Sequence, residues 1–443
     1  MIHKIPFSEL NIWDVKSFFH QADVFSEKHP VVLFGEFLTK PQIEKIKIVD
    51  SGEYKILGAR SYGKGVFVNR IVKGSTLKMR TYQQAKENHL FWCKVDTKNG
   101  AFGIITPELA DGVGSSNMTF AKIETNKANP EYVQLLFKSK KVNDYMDGYV
   151  SGTTNRKYIK PDQLREEIKI PLPSLKEQNR IVENYKSKLK ISFQQEEKAI
   201  QLEKSIEAFM YKSLGIEKEA KKEKISSLQF IKYSSILNRW DDKPSHNLDS
   251  SFPIVKINDI LKTISTGTTP TTSRSEYFEN GKINFYTPAD LTNKVYLTES
   301  QRKVTQLAIN NRKARKFMKN TLLFVGIGST VGKVGIIKNE YASSNQQITG
   351  LTLDETKVNV EFAFFYFNYF QHITTKERTQ ATIPIVNQSK ILNIPFPLPP
   401  LNIQIEIASR ILKINSEINE LIASSKNNKK YALIEFEQEI FKS

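Results

Sequence analysis

The sequence predicts an α+β protein in which two globular mixed domains are joined by two long helices packed as an antiparallel coiled coil. The main observation is an internal repeat with pseudo-twofold character. Trp240 follows Trp13 by 227 positions, inside the matching segments LNRWD and LNIWD. Pro397 follows Pro171 by 226 positions, inside matching proline-rich elements. Because two distant markers keep almost the same offset, the repeat is the size of a domain, and a duplicated chain suits a target with two halves.

The chain is long and strongly basic. A chain of 443 residues is longer than a single hydrophobic core usually accommodates, so two to four domains are expected. A content of 39% hydrophobic and 25% charged residues is typical of a globular protein. The net charge of +18 and the pI near 9.5 favour an extended polyanion, nucleic acid above all, as the partner. A lysine-rich composition from a low-GC genome would explain part of that excess.

Cysteine, histidine and hydropathy patterns exclude other classes of protein. The single cysteine, Cys93, rules out an intramolecular disulfide and fits a reducing cytoplasm. The first residues lack a secretion signal, and the most apolar run, 362–370, is too short to span a membrane. The six histidines show no paired spacing with cysteine. We therefore expect a cytoplasmic protein with no membrane contact and no metal site.

Each half of the chain begins with a mixed region. Short β-branched and aromatic runs bounded by glycine predict strands, and apolar residues on one helical face predict a helix in each half. We expect the aromatic side chains of these two helices to lie in the core. The predicted strands are 54–58, 65–68, 283–287 and 322–325, and the predicted helices are 130–138 and 360–369.

A proline-rich element ends each mixed region, because proline forces extended backbone and removes amide donors. Long polar helices are then predicted over about 176–214 and 402–441, each about 57 Å long. A narrow apolar seam on each helix has to be buried, and its own duplicate is the obvious partner; a dimerisation coiled coil is the alternative. Residues 216–225 form the expected link between the halves. The seam of the second helix consists of Ile407, Ile411, Ile414, Ile418 and Leu421.

The glycine-rich segment 324–333, FVGIGSTVGK, invites three enzymatic interpretations, and each fails. A phosphate-binding loop needs four residues between its glycines, a dinucleotide fingerprint needs a third glycine, and an amino-methyltransferase needs a [DN]-P-P-[FY] partner sequence. The segment instead predicts a tight turn between two strands, whose polar tip could touch DNA. A nuclease-like set, PD at 161–162 and EIK at 167–169, is too closely spaced and has no acidic counterpart in the second half.

The most distinctive motifs are two proline-rich elements, IPLPSLKEQ at 170–178 and PLPPL at 397–401 followed by Gln404. The second half adds GTTP at 267–270, YTPADL at 286–291 and SSNQQ at 343–347. With these motifs, the whole chain resembles the DNA-specificity subunit of Type I restriction–modification enzymes. The first domain departs from the pattern, since it keeps SSN at 115–117 without the glutamines and has no GTTP segment.

The resemblance implies a division of labour. Residues 1–170 and 226–395 would be two target-recognition domains that read the two halves of a bipartite site on double-stranded DNA. Residues 171–225 and 396–443 would be spacer helices, the first with its linker, that also dock two modification subunits and the restriction and translocase subunits. Those partners would hold S-adenosylmethionine, ATP and Mg²⁺, so this chain would carry no cofactor and would not be an enzyme.

The residues that would read DNA are chosen by side-chain chemistry and position. Arginine and lysine suit guanine, asparagine and glutamine suit adenine, and lysine also contacts phosphates. For each residue, a solvated surface or turn position is the alternative. For Gln178 and Gln404, helix capping or packing competes with subunit contact. The candidates are Arg60, Tyr62, Lys64, Lys78 and Arg80 in the first domain, and Arg274, Tyr277, Ser329, Thr330, Lys333, Gln346 and Gln347 in the second.

Two other functions stay open at this point. A stand-alone nucleic-acid-binding scaffold would bind the same sequence with or without partners. A complete enzyme built on the segment 324–333 would bind S-adenosylmethionine by itself. The sequence favours a binding protein over an enzyme, and the stand-alone scaffold stays the alternative to a specificity subunit.

Overall fold

The computed structural model describes most of the chain, and it separates into two compact units. The first unit is Met1–Glu196 with Ile422–Ser443, and the second is Glu197–Leu421. Each unit therefore contains one mixed domain and half of each long helix. The LNIWD and LNRWD segments and most of the predicted link lie outside the described residues, which are 24–217 and 248–441 without 43, 95–99, 148, 150–158, 293, 377 and 379–382.

Nine α-helices occur in the described part of the chain, and none of them is long and apolar enough to cross a membrane. The two mixed-domain helices and both long helices begin and end within one residue of their predicted bounds. The helices are α1 Pro130–Lys138, α2 Lys140–Asp147, α3 Pro161–Glu166, α4 Leu175–Leu214, α5 Gln306–Asn310, α6 Val360–Tyr369, α7 Gln371–Thr374, α8 Gln388–Leu392 and α9 Leu401–Ile440.

The strands of the first unit form three sheets, with orders β1-β11, β2-β10-β7-β8 and β3-β6-β9-β4-β5. Only the β4–β9 pair is parallel among the described strands of this unit. The strands are β1 Val31–Leu33, β2 Leu38–Thr39, β3 Lys45–Lys47, β4 Glu53–Ala59, β5 Val66–Lys73, β6 Thr81–Gln84, β7 His89–Cys93, β8 Phe102–Ile104, β9 Val113–Gly114, β10 Met118–Ile123 and β11 Lys169–Pro171.

The main core of the first unit joins residues from both ends of the chain. Fully buried Trp92 shares this core with Phe436 and Ile440 from the last turns of α9. Phe25 pairs with Phe441 in an isolated β-bridge, and their rings lie 5.3 Å apart. The core of the first mixed domain is thus completed by the end of the second long helix.

The strands of the second unit also form three sheets, with orders β12-β22, β13-β21-β18-β19-β15 and β16-β14-β20-β17. Its main core surrounds α6, whose aromatic side chains are buried, apart from the half-buried Tyr369, as the sequence predicted. The strands are β12 Ile254–Lys256, β13 Leu261–Thr266, β14 Ile283–Tyr286, β15 Tyr296–Leu297, β16 Arg302–Val304, β17 Phe317–Met318, β18 Leu322–Val325, β19 Val334–Ile337, β20 Tyr341–Ser344, β21 Ile348–Leu353 and β22 Pro395–Pro397.

The proline-rich elements are short strands that close each mixed domain. Strand β11 pairs antiparallel with β1, the first described strand of its unit, and β22 pairs in the same way with β12. After the first element, Leu172 N donates to Pro30 O at 2.9 Å; after the second, Leu398 N donates to Pro253 O at 2.9 Å. The repeat detected in the sequence therefore extends to individual backbone hydrogen bonds.

The side chain of a buried glutamine hydrogen-bonds the start of each long helix to the mixed domain before it. Gln178 is fully buried in the first turn of α4. Its Oε1 accepts from Asn129 N at 2.7 Å, and its Nε2 donates to Lys127 O at 3.0 Å and to Pro173 O at 2.8 Å. Three backbone groups at the entry to two helices are satisfied by this one side chain.

Gln404 repeats the arrangement in the second unit. Its Oε1 accepts from Asn359 N at 2.9 Å, and its Nε2 donates to Lys357 O at 2.9 Å and Pro399 O at 2.8 Å. Gln404 is also fully buried. Of the two roles left open for these glutamines, the structure assigns the structural one, since a side chain without exposed surface is closed to a docking subunit.

In each unit, the halves of α4 and α9 pack against each other in antiparallel order. In the first unit, Ser192 Oγ lies 2.8 Å from Ser425 Oγ, and Lys188 contacts Glu435. In the second unit, Lys198 Nζ lies 2.7 Å from Glu417 Oε1. There, Ile206, Met210, Ile407 and Ile411 share the apolar core.

A polar layer lies within the helix pair of the first unit, at Ser192 and Glu196 of α4. Ser192 and Ser425 are fully buried against each other. Ser425 donates on to Glu196 Oε1 at 2.8 Å, and that carboxylate also pairs with Lys429 Nζ at 2.6 Å. At this level a satisfied hydrogen-bond network replaces apolar packing, and such networks fix the register of paired helices.

Candidate nucleic-acid interface

Four segments of the second unit meet at the ends of its strands and form what we call the loop cluster, residues 266–270, 326–333, 345–347 and 384–388. Backbone hydrogen bonds connect them. Gly326 N donates to Gln347 O at 2.8 Å, Val386 N donates to Gly326 O at 2.8 Å, and Gly267 N donates to Ile348 O at 2.9 Å. The GTTP, FVGIGSTVGK and SSNQQ motifs, far apart in the sequence, thus lie side by side.

The segment 324–333 forms the predicted turn between two strands. Strands β18 and β19 pair antiparallel, and Gly328 and Gly332 hold φ angles of +114° and +96°, which suit glycine. Ser329 is exposed at the tip, whereas Thr330 and Lys333 are half-buried. Amide groups of the turn donate to backbone carbonyls of the same turn, for example Gly332 N to Val325 O at 3.0 Å. The amides of Val331, Gly332 and Lys333 are therefore committed to the turn.

Two glutamines, Gln346 and the half-buried Gln347, lie in the turn between β20 and β21. Gln346 is exposed, and its Oε1 accepts from Thr269 Oγ1 of the GTTP segment. Gln347 Oε1 accepts from Asn345 Nδ2 at 2.9 Å. Within the described part of the chain, the Nε2 groups of Gln346 and Gln347 make no hydrogen bond, so two donors remain for a ligand.

A cavity of about 390 Å³ opens beside these glutamines and adds residues that sequence reasoning missed. Gln388 lies on its wall and donates from Nε2 to Thr266 Oγ1 at 2.8 Å. Asn387 also lines the cavity, and its side chain caps α8 by accepting from Lys390 N at 3.0 Å. No local motif marks these residues, because segment 384–388 reaches the cluster only through the tertiary fold.

Two predicted contacts of the second unit have different environments. Arg274 is exposed, with its Nη1 3.6 Å from Glu276 Oε1. Tyr277 is only 2% exposed and packs in a core cluster with Phe285 and Val304. The prediction that Tyr277 contacts DNA is therefore wrong: its ring is a core element beneath the surface that presents Arg274.

The first three candidates of the first unit lie on the turn between β4 and β5. Arg60 is exposed and stacks its guanidinium over the Phe67 ring at 4.8 Å. Tyr62 is 57% exposed and has a φ of +59°, a conformation that few residues other than glycine adopt. Gly63 N donates to Gly100 O at 2.8 Å, so the turn is anchored and presents Tyr62 outward. The exposed Lys64 follows.

The other two candidates of this unit, Lys78 and Arg80, precede β6 and are exposed. Arg80 Nη1 lies 2.6 Å from Asp50 Oδ1, so its guanidinium already has a partner in the protein. Lys94 Nζ donates to Ser116 O at 3.1 Å, in the segment that corresponds to SSNQQ. The surface around Lys78, Arg80 and Lys94 is therefore basic, whereas the corresponding turn of the second unit carries the amide side chains of Gln346 and Gln347.

A large open cavity of about 680 Å³ lies between the first mixed domain and α4. Lys64, Lys138 and Lys186 contribute to its wall. Burial lowers the pKa of Lys138, while Glu131 acts in the opposite direction. Lys186 Nζ is neutralised by Glu131 Oε2 at 2.6 Å. Of these amines, Lys64 is the one that faces solvent without a described ion pair.

Comparisons with known proteins agree with this architecture. A family model for the Type I restriction modification DNA specificity domain matches residues 34–204 and 250–429. The Type I restriction enzyme MjaIX specificity subunit of Methanocaldococcus jannaschii is 24% identical over 310 residues. That match covers 69% of this chain and 65% of the relative, so the chain spans just under two thirds of the relative's length.

Two solved structures resemble the chain at 14% sequence identity. A chain from a study of complex assembly and conformational transition of the type I R-M system has a TM-score of 0.61, covering 94% of this chain and 98% of that one. The HsdS subunit from Thermoanaerobacter tengcongensis has a TM-score of 0.49, with 93% and 96% covered. The first of these shows a shared fold. Because the family model matches well over half of the residues, in two copies, this chain belongs to the Type I restriction modification DNA specificity family.

Proposed function

We propose that this protein is the sequence-specific DNA-binding subunit of a Type I restriction–modification complex and that each mixed domain reads one half of a bipartite site. The observation that carries the proposal is the duplication itself. Each copy is closed by the same proline-rich strand and fastened to a long helix by the same buried glutamine. Two copies of one reader suit a target with two half-sites. The net charge of +18 supports a polyanionic partner.

The two long helices act, in this proposal, as one antiparallel coiled coil that sets the separation of the domains. Each helix has 40 residues, which corresponds to about 60 Å. Support comes from the antiparallel packing of the helix halves within each unit. Half-sites one turn apart on one face of the duplex are about 34 Å from centre to centre. A spacer of this length can hold two readers at such a separation.

The protein itself carries no catalytic step in this proposal. Two modification subunits and the restriction and translocase subunits dock on it, and S-adenosylmethionine, ATP and Mg²⁺ belong to those partners. The turn 326–333 supports this view, because the amides of Val331, Gly332 and Lys333 donate to carbonyls within the segment 324–333.

The deciding experiment is methylation-sensitive sequencing of the host genome with and without the gene. A bipartite methylated-adenine motif that disappears on deletion is the expected result. Binding assays separate the alternative of a stand-alone scaffold, since a scaffold would bind the same sequence with equal specificity alone and in the complex. Loss of the gene without any change in methylation would contradict the proposal.

The loop cluster of the second unit is proposed to read one half-site, with Gln346 and Gln347 as adenine-reading residues. Their Nε2 groups are available donors, and glutamine pairs in bidentate fashion with adenine N6 and N7. Gln346→Ala with Gln347→Ala should relax base preference at one or two positions of one half-site. We expect the affinity for the original site to fall about tenfold or more. The other half-site should keep its preference.

Gln306→Ala is the matched control, since Gln306 is an exposed glutamine on α5, outside the loop cluster. Selection from a randomised DNA library by the assembled complex measures both half-sites at once. An unchanged base preference in the double variant would remove the glutamines from the proposed interface.

A further inference from the structure

Three groups that could bind a metal ion converge at one point of the first unit. His29 precedes β1, Glu177 lies in the first turn of α4, and Glu439 lies in the last turn of α9. One ligand atom from each side chain lies within 4.8 Å of the other two. In the described part of the chain, no other group of three histidine, cysteine, aspartate or glutamate side chains brings its ligand atoms this close together.

The histidine provides a second and independent observation. Its side chain is only 8% exposed, and Nε2 has no hydrogen-bond partner. That nitrogen faces Glu439 Oε2 at a distance of 3.9 Å. Buried polar atoms in folded proteins almost always have a hydrogen-bond partner, so an unpartnered one indicates a missing ligand.

We propose that His29, Glu177 and Glu439 bind a divalent transition-metal ion of the zinc class. Nε2 and one oxygen of each carboxylate would be the protein ligands, with water completing the shell. Tetrahedral ligands at about 2.1 Å from zinc lie about 3.4 Å apart, so the side chains move inward by little more than 1 Å. An imidazole ligand favours zinc over Mg²⁺ or Ca²⁺, which prefer oxygen ligands alone.

Two basic side chains form ion pairs with the carboxylates and would compete with the metal for their oxygens. Lys28 contacts Glu439, and Arg180 Nη2 lies 2.6 Å from Glu177 Oε1 and 3.1 Å from Glu439 Oε1. The Lys28 side chain is 52% exposed, so its ammonium can move into water when a metal binds. Arg180 can keep the outer carboxylate oxygens and orient them as ligands. The metal would then fasten three chain segments that are distant in sequence.

The test titrates ZnCl₂ into the purified, tag-free full-length chain after chelator treatment, with Co²⁺ absorption as a second readout of coordination. We expect one ion per chain and a rise in Tm. His29→Ala should weaken binding at least about tenfold. Lys28→Ala removes the competitor and should tighten binding about two- to fivefold, a gain that a misfolded variant cannot produce. His89→Ala, at a half-buried histidine of β7, should bind as the original chain does.

The outcomes are separable. Stoichiometric binding that depends on His29 and improves in Lys28→Ala supports the site. Binding that is unchanged in both variants, or no saturable binding in any of them, overturns it. Because no DNA or partner subunit is used, failure of this site would leave the proposed function untouched, and the reverse also holds.

Discussion

Lengthening both long helices by four residues is expected to move the recognised half-sites apart without changing their bases. The insertions belong between Glu196 and Glu197 in α4 and between Leu421 and Ile422 in α9, where the two compact units divide. Four residues add about 6 Å and slightly more than one helical turn, so the apolar face continues. About 6 Å corresponds to about two base pairs of DNA. The spacer should therefore grow by about two base pairs.

Affinity for the original site should fall by about 10³-fold or more, toward non-specific binding, since both half-sites can no longer be engaged together. Selection of DNA by the assembled complex, or methylation sequencing, gives half-sites and spacer in one measurement. An insertion in α4 alone is the control, because it shifts the register of the helix pair. That variant should lose stability and gain no new spacing. A change of half-site bases after the double insertion would mean that the helices are more than spacers.

Replacing Gln404 by alanine is expected to destabilise the second unit by about 2–4 kcal/mol. The substitution leaves three backbone groups, at Asn359, Lys357 and Pro399, without their buried partner. Gln404→Glu should be at least as damaging, because a buried carboxylate cannot donate to the two carbonyls. Urea unfolding gives the free energy, and hydrogen exchange at Asn359 N reports the local effect.

Glu406→Ala provides the comparison, since Glu406 lies on the same helix and is exposed. Its effect should stay within about 0.5 kcal/mol. Gln178→Ala should repeat the loss in the first unit, with Lys176→Ala as its exposed control. Equal free energies of unfolding for Gln404→Ala and Glu406→Ala would show that the hydrogen bonds of the buried glutamine do not stabilise the unit.

Much of the fold follows from local signals in the sequence. The sequence predicts helices 130–138 and 360–369 at their observed bounds, because the spacing of their apolar residues marks them within the segment itself. The structure adds the side chains of Asn129 and Asn359, which cap the two helices. Strand 322–325 was equally clear, since four apolar residues precede a glycine turn. The domain bounds at 170, 225 and 395 stay predictions, because the compact units cut through both long helices.

The sequence does not predict the environment of a residue whose contacts come from distant segments of the chain. Tyr277 follows polar residues and resembles a surface position, but Val304 and Ala308 from later segments bury it. Gln388 has no motif around it and lines the same cavity as Gln347 only because four segments converge there. Side-chain chemistry predicts that Gln346 and Gln347 can contact bases. It does not predict the neighbouring residues that orient their side chains.

The contribution of Phe436, Ile440 and Phe441 to the first core has a consequence for biosynthesis. Translation releases Met1–Glu196 long before Ile422–Ser443 leaves the ribosome. The second unit is continuous in the chain and can complete its folding earlier, against the usual order in which amino-terminal domains fold first. The first mixed domain stays incompletely packed until residues 436–441 have left the ribosome. Termination of translation before residue 436 would thus damage a domain that is encoded much earlier in the message.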